Sequence, residues 1–293
     1  MFQFFANIFG FILNIINNLV GNYGLAIILF TVLIKLIMLP LSIKQQKTMK
    51  KSTKLQEKIK ILQFKYKNDP EKLNREMMDL YKQEKMSPFS GCLSAIVQFI
   101  LLISIFYMVR CPLTYMEKVD TEQLNTYVQQ LKDDGKEVSA AYSEIDIVRE
   151  IDFLKEKFPD DQKLHEINLN MNFLGLDLSK IPQQNLGDWT VYIIPILYII
   201  STFISMRITT SMQNKQKKED GIIDVTEDKK EDKEEGNELE DAMAQSNKMM
   251  GWMMPIMSLS ISIVAPLGLA LYWLVNNVLM IGERLILNKL IKD

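Results

Sequence analysis

Cysteine and histidine are scarce in this chain of 293 residues, which contains two Cys and one His. Cys92 and Cys111 bracket one apolar stretch, and on a helix they lie about 28 Å apart at ~1.5 Å per residue. A disulfide needs Cα atoms within roughly 7 Å, so these two cannot pair within the chain. His165 has no Cys or other His at metal-ligand spacing. We therefore expect no metal, no cofactor and no catalytic nucleophile, and a protein that is not an enzyme.

Long stretches of the chain lack charge altogether. The 34 Lys and Arg and the 36 Asp and Glu nearly cancel, but they are strongly segregated. No ionisable acid or base occurs in residues 1–34, 91–109, 189–206 and 249–282. A soluble fold needs charge on its exposed faces throughout its length, whereas a chain that spans a bilayer does not. The pattern excludes a soluble enzyme and predicts an all-α polytopic membrane protein.

The apolar runs predict five membrane spans. The last run is 34 residues long, about 51 Å as one helix, and the hydrocarbon core is only about 30 Å thick. Pro266 and Gly268 favour a tight turn in its middle, so we divide it in two. The predicted spans are 22–43, 90–110, 189–210, 249–265 and 267–287, followed by a tail at 288–293.

The charges of the loops predict their sides of the membrane. Residues 44–89 carry a net charge of +7, whereas residues 111–188, called here the outer segment, carry a net charge of −8. Further basic residues follow the third and fifth spans. The positive-inside rule then places the N-terminus outside and the C-terminus in the cytoplasm.

The first 21 residues are apolar but have no Lys or Arg to form the basic start of a secretory signal. Gln3, Asn7, Asn14 and Asn18 recur at helical spacing and form a polar stripe. This pattern predicts an amphipathic helix at residues 1–21 that lies in the outer interface. An uncleaved signal and a sixth, N-terminal span are the alternatives.

Residues 44–89 predict a helical hairpin in the cytoplasm, called here the hairpin. Its turn lies at Asp69 and Pro70, because Asp69 is a suitable N-cap, Pro70 suits the first helical position and Glu71 suits the helix dipole. Apolar stripes on both sides of this turn favour antiparallel pairing of the two helices. The net positive charge has a simpler alternative explanation, a solvated face near anionic lipid.

The inner loop at residues 211–248 is dominated by Lys, Glu and Asp and has few apolar residues. We predict that its middle part is a disordered, charged linker. The sequence contains no motif typical of nucleic-acid binding, and we expect no DNA partner.

Lys35 is the one basic residue deep within a predicted span. A cation near the bilayer centre costs from ~2.5 to more than 10 kcal/mol on different scales, and it usually faces a protein interior or a water-filled cavity. The other spans offer no acidic residue before Glu283, which lies near the end of the last span. We therefore expect an unpaired Lys35 in a hydrated recess, and snorkelling towards the cytoplasm is the alternative.

Polar and aromatic residues on the spans are candidates for lining this recess. Each alone is more often a contact between helices than part of a site. Together with a cation they predict a polar cleft, called here the groove. The candidate groove residues are Lys35, Thr31, Gln98, Ser205, Tyr272, Trp273 and Asn276.

Several separate motifs, in order along nearly the whole chain, resemble the conserved core of the YidC and oxidase-assembly membrane protein insertases. They are NYGLAI at 22–27, Lys35, LPL at 39–41, YKNDPEKLN at 66–74, GCL at 91–93 with Gln98, NFLGLDL at 172–178 and GLALYW at 268–273. Lys35 stands where that family usually has Arg, which keeps the charge but loses the planar fork of donors. The chain resembles the short, Gram-positive-type form, without a large periplasmic β-domain.

The resemblance implies five transmembrane helices around a positively charged groove that is open to the cytoplasm and to lipid. It implies that the protein inserts nascent membrane proteins into the lipid bilayer and helps them to fold, alone or with the Sec translocon, and the ribosome is a further candidate partner. A small anion transporter or channel that uses Lys35 is the alternative function. The odd number of spans and the lack of an internal repeat argue against that alternative.

Overall fold

The structure, a computed structural model, describes residues 2–67, 69–84, 90–219 and 260–290. Within these residues, four helices are long and apolar enough to cross a membrane. A shorter apolar segment, Ile96–Arg110, forms most of the helix Ser90–Arg110. The only sheet in the described part is a two-stranded hairpin. The prediction of an all-α polytopic membrane protein is confirmed.

The described elements follow one another as long helices at both ends of the chain and short ones between them. They are α1 (Phe2–Val20), α2 (Tyr23–Lys65), α3 (Pro70–Gln83), α4 (Ser90–Arg110), α5 (Pro112–Tyr115), α6 (Thr121–Asp133), α7 (Ser143–Arg149), α8 (Ile151–Lys157), α9 (Gln162–Glu166), β1 (Asn172–Phe173), β2 (Leu176–Asp177), α10 (Ile193–Glu219) and α11 (Leu267–Leu290), with 3-10 turns at Pro182–Gln184 and Trp189–Tyr192.

The candidate spans run over Phe2–Val20, Tyr23–Ser52, Trp189–Met212 and Leu267–Leu290. Three of them, together with α4, overlap the predicted spans at 22–43, 90–110, 189–210 and 267–287. Most of the predicted fourth span, 249–265, lies outside the described residues. Of the part that is described, residues 260–264 are helical. The part of the predicted linker 211–248 that follows residue 219 also lies outside the described residues. The same holds for the part of the tail 288–293 that follows residue 290.

The first span and the first helix of the hairpin form one continuous helix. We predicted a span at 22–43 and a separate hairpin from residue 44, but α2 continues through Pro40 to Lys65. Proline removes one backbone hydrogen bond and bends a helix, yet good helix formers on both sides carry α2 onwards. The first arm of the hairpin is therefore an extension of the membrane helix.

The outer segment folds over one end of the helical bundle. Its own buried side chains join those of the membrane helices in one hydrophobic cluster. Backbone hydrogen bonds attach it to two helix starts: the Tyr23 N–H donates to the Asn170 carbonyl (3.0 Å), and the Gly268 N–H donates to the Leu178 carbonyl (2.9 Å). α2 and α11 therefore begin at the same end of the bundle.

The polar side of α1 faces the outer segment. The Asn14 and Asn17 side-chain amides donate to the carbonyls of Met116 and Asn168, both at 3.1 Å. Lys118 donates to the side-chain oxygen of Asn7 at 2.7 Å. These contacts explain the polar stripe, with Asn17 rather than Asn18 buried. α1 is also long enough to cross a membrane, so its interfacial position stays a prediction.

Candidate functional site

Lys35 has an acidic partner. Its Nζ lies 3.5 Å from Oε2 of Glu283, and the exposed fractions of the two side chains are 21% and 13%. The expectation of an unpaired cation was wrong, because it placed Glu283 too close to the end of its span. The site combines two opposite charges that are mostly, but not fully, shielded.

The common starting level of α2 and α11 explains this pairing. Tyr23 and Gly268 lie side by side, since a Cβ added to Gly268 would be 3.5 Å from the Tyr23 ring. From there, Lys35 lies twelve residues along α2, about 18 Å, and Glu283 fifteen residues along α11, about 22 Å at ~1.5 Å per residue. Two long side chains bridge the remaining difference of ~4 Å along the helix axes. A shared starting point therefore sets the register of the ion pair.

α11 makes a second set of polar contacts on its side facing α10. The Asn277 amide donates to Ser201 Oγ at 2.9 Å and to Thr202 Oγ1 at 3.2 Å. Two turns further along, Arg284 donates to Thr209 Oγ1. Because α11 packs against both α10 and α2, its polar residues serve two neighbouring helices.

The other candidate groove residues differ in their surroundings. Thr31 is buried and donates to the Ile27 carbonyl at 2.6 Å, and Ser205 is also buried. Gln98 is exposed and Asn276 is half-buried. Among the described residues, Lys35 is the only candidate groove residue that directly contacts a charged side chain.

The two aromatic candidates on α11 are less exposed than a lipid-facing surface requires. Tyr272 is buried in the hydrophobic cluster. Trp273 is half-buried, and its ring centroid lies 6.0 Å from that of Tyr198 on α10. The two side chains thus contribute to packing between helices at the level where the polar contacts begin.

The hairpin turn is built by local interactions. Asp69 caps α3 by accepting from the Lys72 N–H at 3.0 Å, and Pro70 occupies the start of that helix. The ammonium groups of Lys65 and Lys72 lie 5.1 and 5.2 Å from the centroid of the Tyr66 ring. These cation–π contacts add to the Asp69 cap in stabilising the turn.

Further along the hairpin, Lys58 pairs with Glu84 and joins its two arms. The surface of the hairpin is apolar as well as basic, because Ile61, Phe64 and Met78 are exposed. The hairpin therefore offers both charge and apolar contact to a partner.

Three carboxyl groups of the outer segment have raised pKa values. Burial is the main cause for Glu117, Glu144 and Asp146. Glu144 accepts from Thr114 through its N–H (2.9 Å) and its hydroxyl (2.6 Å), which lowers the pKa by less than burial raises it. Since the folded pKa values exceed the unfolded ones, these groups favour the unfolded state at neutral pH and lose that effect as the pH falls.

Cys111 lies beside this cluster. Burial and the neighbouring Glu144 carboxylate raise the pKa of its thiol to about 12. A thiol with so high a pKa is a poor nucleophile and a poor metal ligand. Within the described residues, no group of three or more potential metal ligands comes together.

A family model for the 60Kd inner membrane proteins matches residues 15–293. The chain belongs to this family. The chain is also similar to the membrane protein insertase YidC of Francisella tularensis subsp. novicida (strain U112) and to that of subsp. tularensis (strain SCHU S4), each 49% identical over 108 residues. That match covers 37% of this chain and 20% of each relative, so it spans about a fifth of their length. With its apolar helices, the chain is a multi-pass bacterial membrane protein.

The sequence did not predict the contacts that α11 makes with Lys35 on α2 and with the hydroxyl groups on α10. Glu283 was rejected as a partner of Lys35, and Arg284 was not considered. Asn277 was noted as a polar residue of the last span, but its contact with α10 was not predicted. A usable signal was present, since Asn277 and Arg284 are seven residues apart and so share one helix face. Ser201, Thr202 and Thr209 show the same spacing on α10. Matching polar periods on two spans predict contact between them, although they do not predict the axial register.

Proposed function

We propose that this protein is a membrane protein insertase that takes up nascent membrane proteins and releases them into the lipid bilayer. The observation that carries the proposal is the family match over residues 15–293, together with the insertase names of curated relatives. The intramembrane position of Lys35 supports it, because an ionisable side chain within a span is usually functional.

The physical task is to move a short polar tail of a substrate across hydrocarbon, where unsatisfied polar groups are expensive. A polar groove that reaches partway across the membrane shortens the dry path. Lys35 would attract acidic residues of the tail, and Thr31, Gln98, Ser205 and Asn276 would offer further polar contacts. The half-buried Trp273 would lie beside the apolar part of the substrate as it moves into lipid, and the buried Tyr272 would support that helix face from the hydrophobic cluster. No covalent chemistry is required.

The proposed orientation has the N-terminus and the outer segment outside, and the hairpin and C-terminus in the cytoplasm. The charge difference between residues 44–89 and 111–188 supports it through the positive-inside rule. The hairpin would receive substrates, since it combines basic residues with exposed apolar side chains. The Sec translocon and the ribosome are further candidate partners.

The alternative, an anion transporter or channel, would need Lys35 as a free binding site for a small anion. The Glu283 carboxylate beside it weighs against that role, because it already compensates the positive charge. The two functions differ in what crosses or enters the membrane.

A direct test reconstitutes the full chain in liposomes and measures two quantities. The first is insertion of a single-span test protein with a short outer tail, scored by protection of the tail from protease, and the second is the flux of chloride and phosphate. We expect insertion above that of protein-free liposomes and no added anion flux. Anion flux without insertion would replace the insertase by the transporter.

A further inference from the structure

Glu283 is the one acidic side chain that the structure brings to Lys35 within the described residues. On the basis of the proposed insertase function, we propose that Glu283 determines the charge selectivity of the groove. In the resting protein its carboxylate occupies Lys35, and an acidic group of a substrate tail must displace it. The juxtaposition of Lys35 Nζ and Glu283 Oε2 across α2 and α11 carries this proposal.

The contact is loose enough to be exchanged. Its length of 3.5 Å exceeds the ~2.7–2.9 Å of a close hydrogen bond between ammonium and carboxylate. The second carboxylate oxygen, Oε1, is buried and has no hydrogen-bond partner in the described part of the chain. The Glu283 carboxylate is therefore under-bonded, and little besides Lys35 fixes its position.

A counter-ion within the groove allows a substrate both to bind and to be released. A bare cation in a low-dielectric site would be costly when empty and would hold a substrate carboxylate tightly when occupied. With Glu283 present, binding exchanges one carboxylate for another, and Lys35 is compensated before and after. The displaced Glu283 still has the Arg284 guanidinium on the next residue as a cationic neighbour.

The proposal makes Glu283 a competitor of acidic substrates. Its effect on insertion should depend on the charge of the substrate tail and on the presence of Lys35. A purely structural role would instead change the insertion of acidic and neutral substrates to the same extent. The ratio of the two insertion rates therefore separates the two roles.

The experiment uses the full chain in liposomes with two single-span test proteins whose outer tails differ only in Asp or Asn residues. Insertion is measured for the wild type, Glu283→Gln, Lys35→Met and the double variant. We expect Glu283→Gln to raise the acidic-to-neutral ratio about two- to fivefold, as befits removal of a partly exposed ion pair. Lys35→Met should bring the ratio to about one, and the double variant should behave as Lys35→Met does.

Two further variants make the result specific. Glu283→Asp keeps the charge on a shorter side chain and should give a ratio between those of the wild type and Glu283→Gln, so it provides a second measurement if the amide variant folds poorly. Glu166→Gln removes an exposed carboxylate of the outer segment and should leave the ratio unchanged.

The outcomes distinguish this inference from the proposed function. If the wild type inserts both test proteins but Glu283→Gln and Glu283→Asp leave the ratio at the wild-type value, Glu283 does not set selectivity. If Glu283→Gln raises the ratio as much without Lys35 as with it, competition for Lys35 is refuted. If the wild type inserts neither test protein, the proposed function itself fails.

Discussion

Gly24, in the first turn of α2, is expected to tolerate no side chain. A Cβ built at this position would lie 2.4 Å from Cγ and 2.6 Å from Cβ of Phe173 on β1. These atoms are the base of the Phe173 side chain rather than its flexible end, so the ring cannot simply rotate away. Gly24→Ala should push β1 away from the start of α2.

The cost follows from what holds β1 in place. The Asn22 amide donates to the Asn172 carbonyl at 2.7 Å and the Tyr23 N–H to the Asn170 carbonyl at 3.0 Å, both next to the clash. Overpacking costs typically about 1–3 kcal/mol, and each weakened hydrogen bond adds about 1 kcal/mol. Against this, Ala improves helix propensity over Gly by up to ~1 kcal/mol. With both hydrogen bonds weakened, the expected net loss of folding free energy is about 2–4 kcal/mol.

The assay is thermal unfolding of the purified protein in one detergent, with Gly282→Ala as the matched control. Gly282 lies within α11 and has open space around a built Cβ, so its substitution should be neutral or stabilising. Gly24→Ala should lower the unfolding temperature, and Phe173→Ala in the same chain should remove most of the added effect. Equal unfolding temperatures for the Gly24 and Gly282 variants would refute the close contact.

Three further predictions concern charge and the hairpin. Lys35→Arg should support insertion, whereas Lys35→Ala should slow substrates with acidic outer tails most; normal insertion of every substrate by Lys35→Ala would contradict a role for this charge. Replacing residues 52–84 by a short linker should leave a protein that resists extraction from membranes but is inactive in the insertion assay, and full activity would disprove substrate reception by the hairpin. Lowering the pH from neutral to about 5 should raise the unfolding temperature, because the half-buried Glu117 and the buried Glu144 and Asp146 have raised pKa values. Glu144→Gln should reduce that rise, and an unfolding temperature that falls over this range would contradict it.

The fold class follows from the sequence because its signal is local. Charge-free runs of sufficient length predict helices in a bilayer, whatever their neighbours are. The hairpin turn is local as well, since Asp69, Pro70 and Glu71 carry the capping, backbone and dipole preferences of a helix start within three residues. The course of α2 through Pro40 was less predictable, because a proline weakens a helix without always ending it.

The partner of Lys35 could not be predicted because it depends on long-range register. Lys35 and Glu283 are 248 residues apart in sequence. Their meeting depends on the starting level of two helices beneath the outer segment, which backbone hydrogen bonds from Tyr23 and Gly268 determine. Hydropathy gives the length of a span but not its axial offset from a neighbour, and an error of one turn moves a side chain by about 5 Å.

The ion pair changes where positive charge is available in the membrane. Lys35 and Arg284 are two cations and Glu283 is one anion, so the three side chains together carry a single net positive charge. Because Glu283 compensates Lys35, and Arg284 donates to Thr209 on α10, neither cation is freely presented in the resting arrangement. An acidic substrate can gain from the net charge only by rearranging these contacts. α11, which carries both Glu283 and Arg284 and packs against α2 and α10, is therefore the helix whose small movements would most alter the charge offered to a substrate.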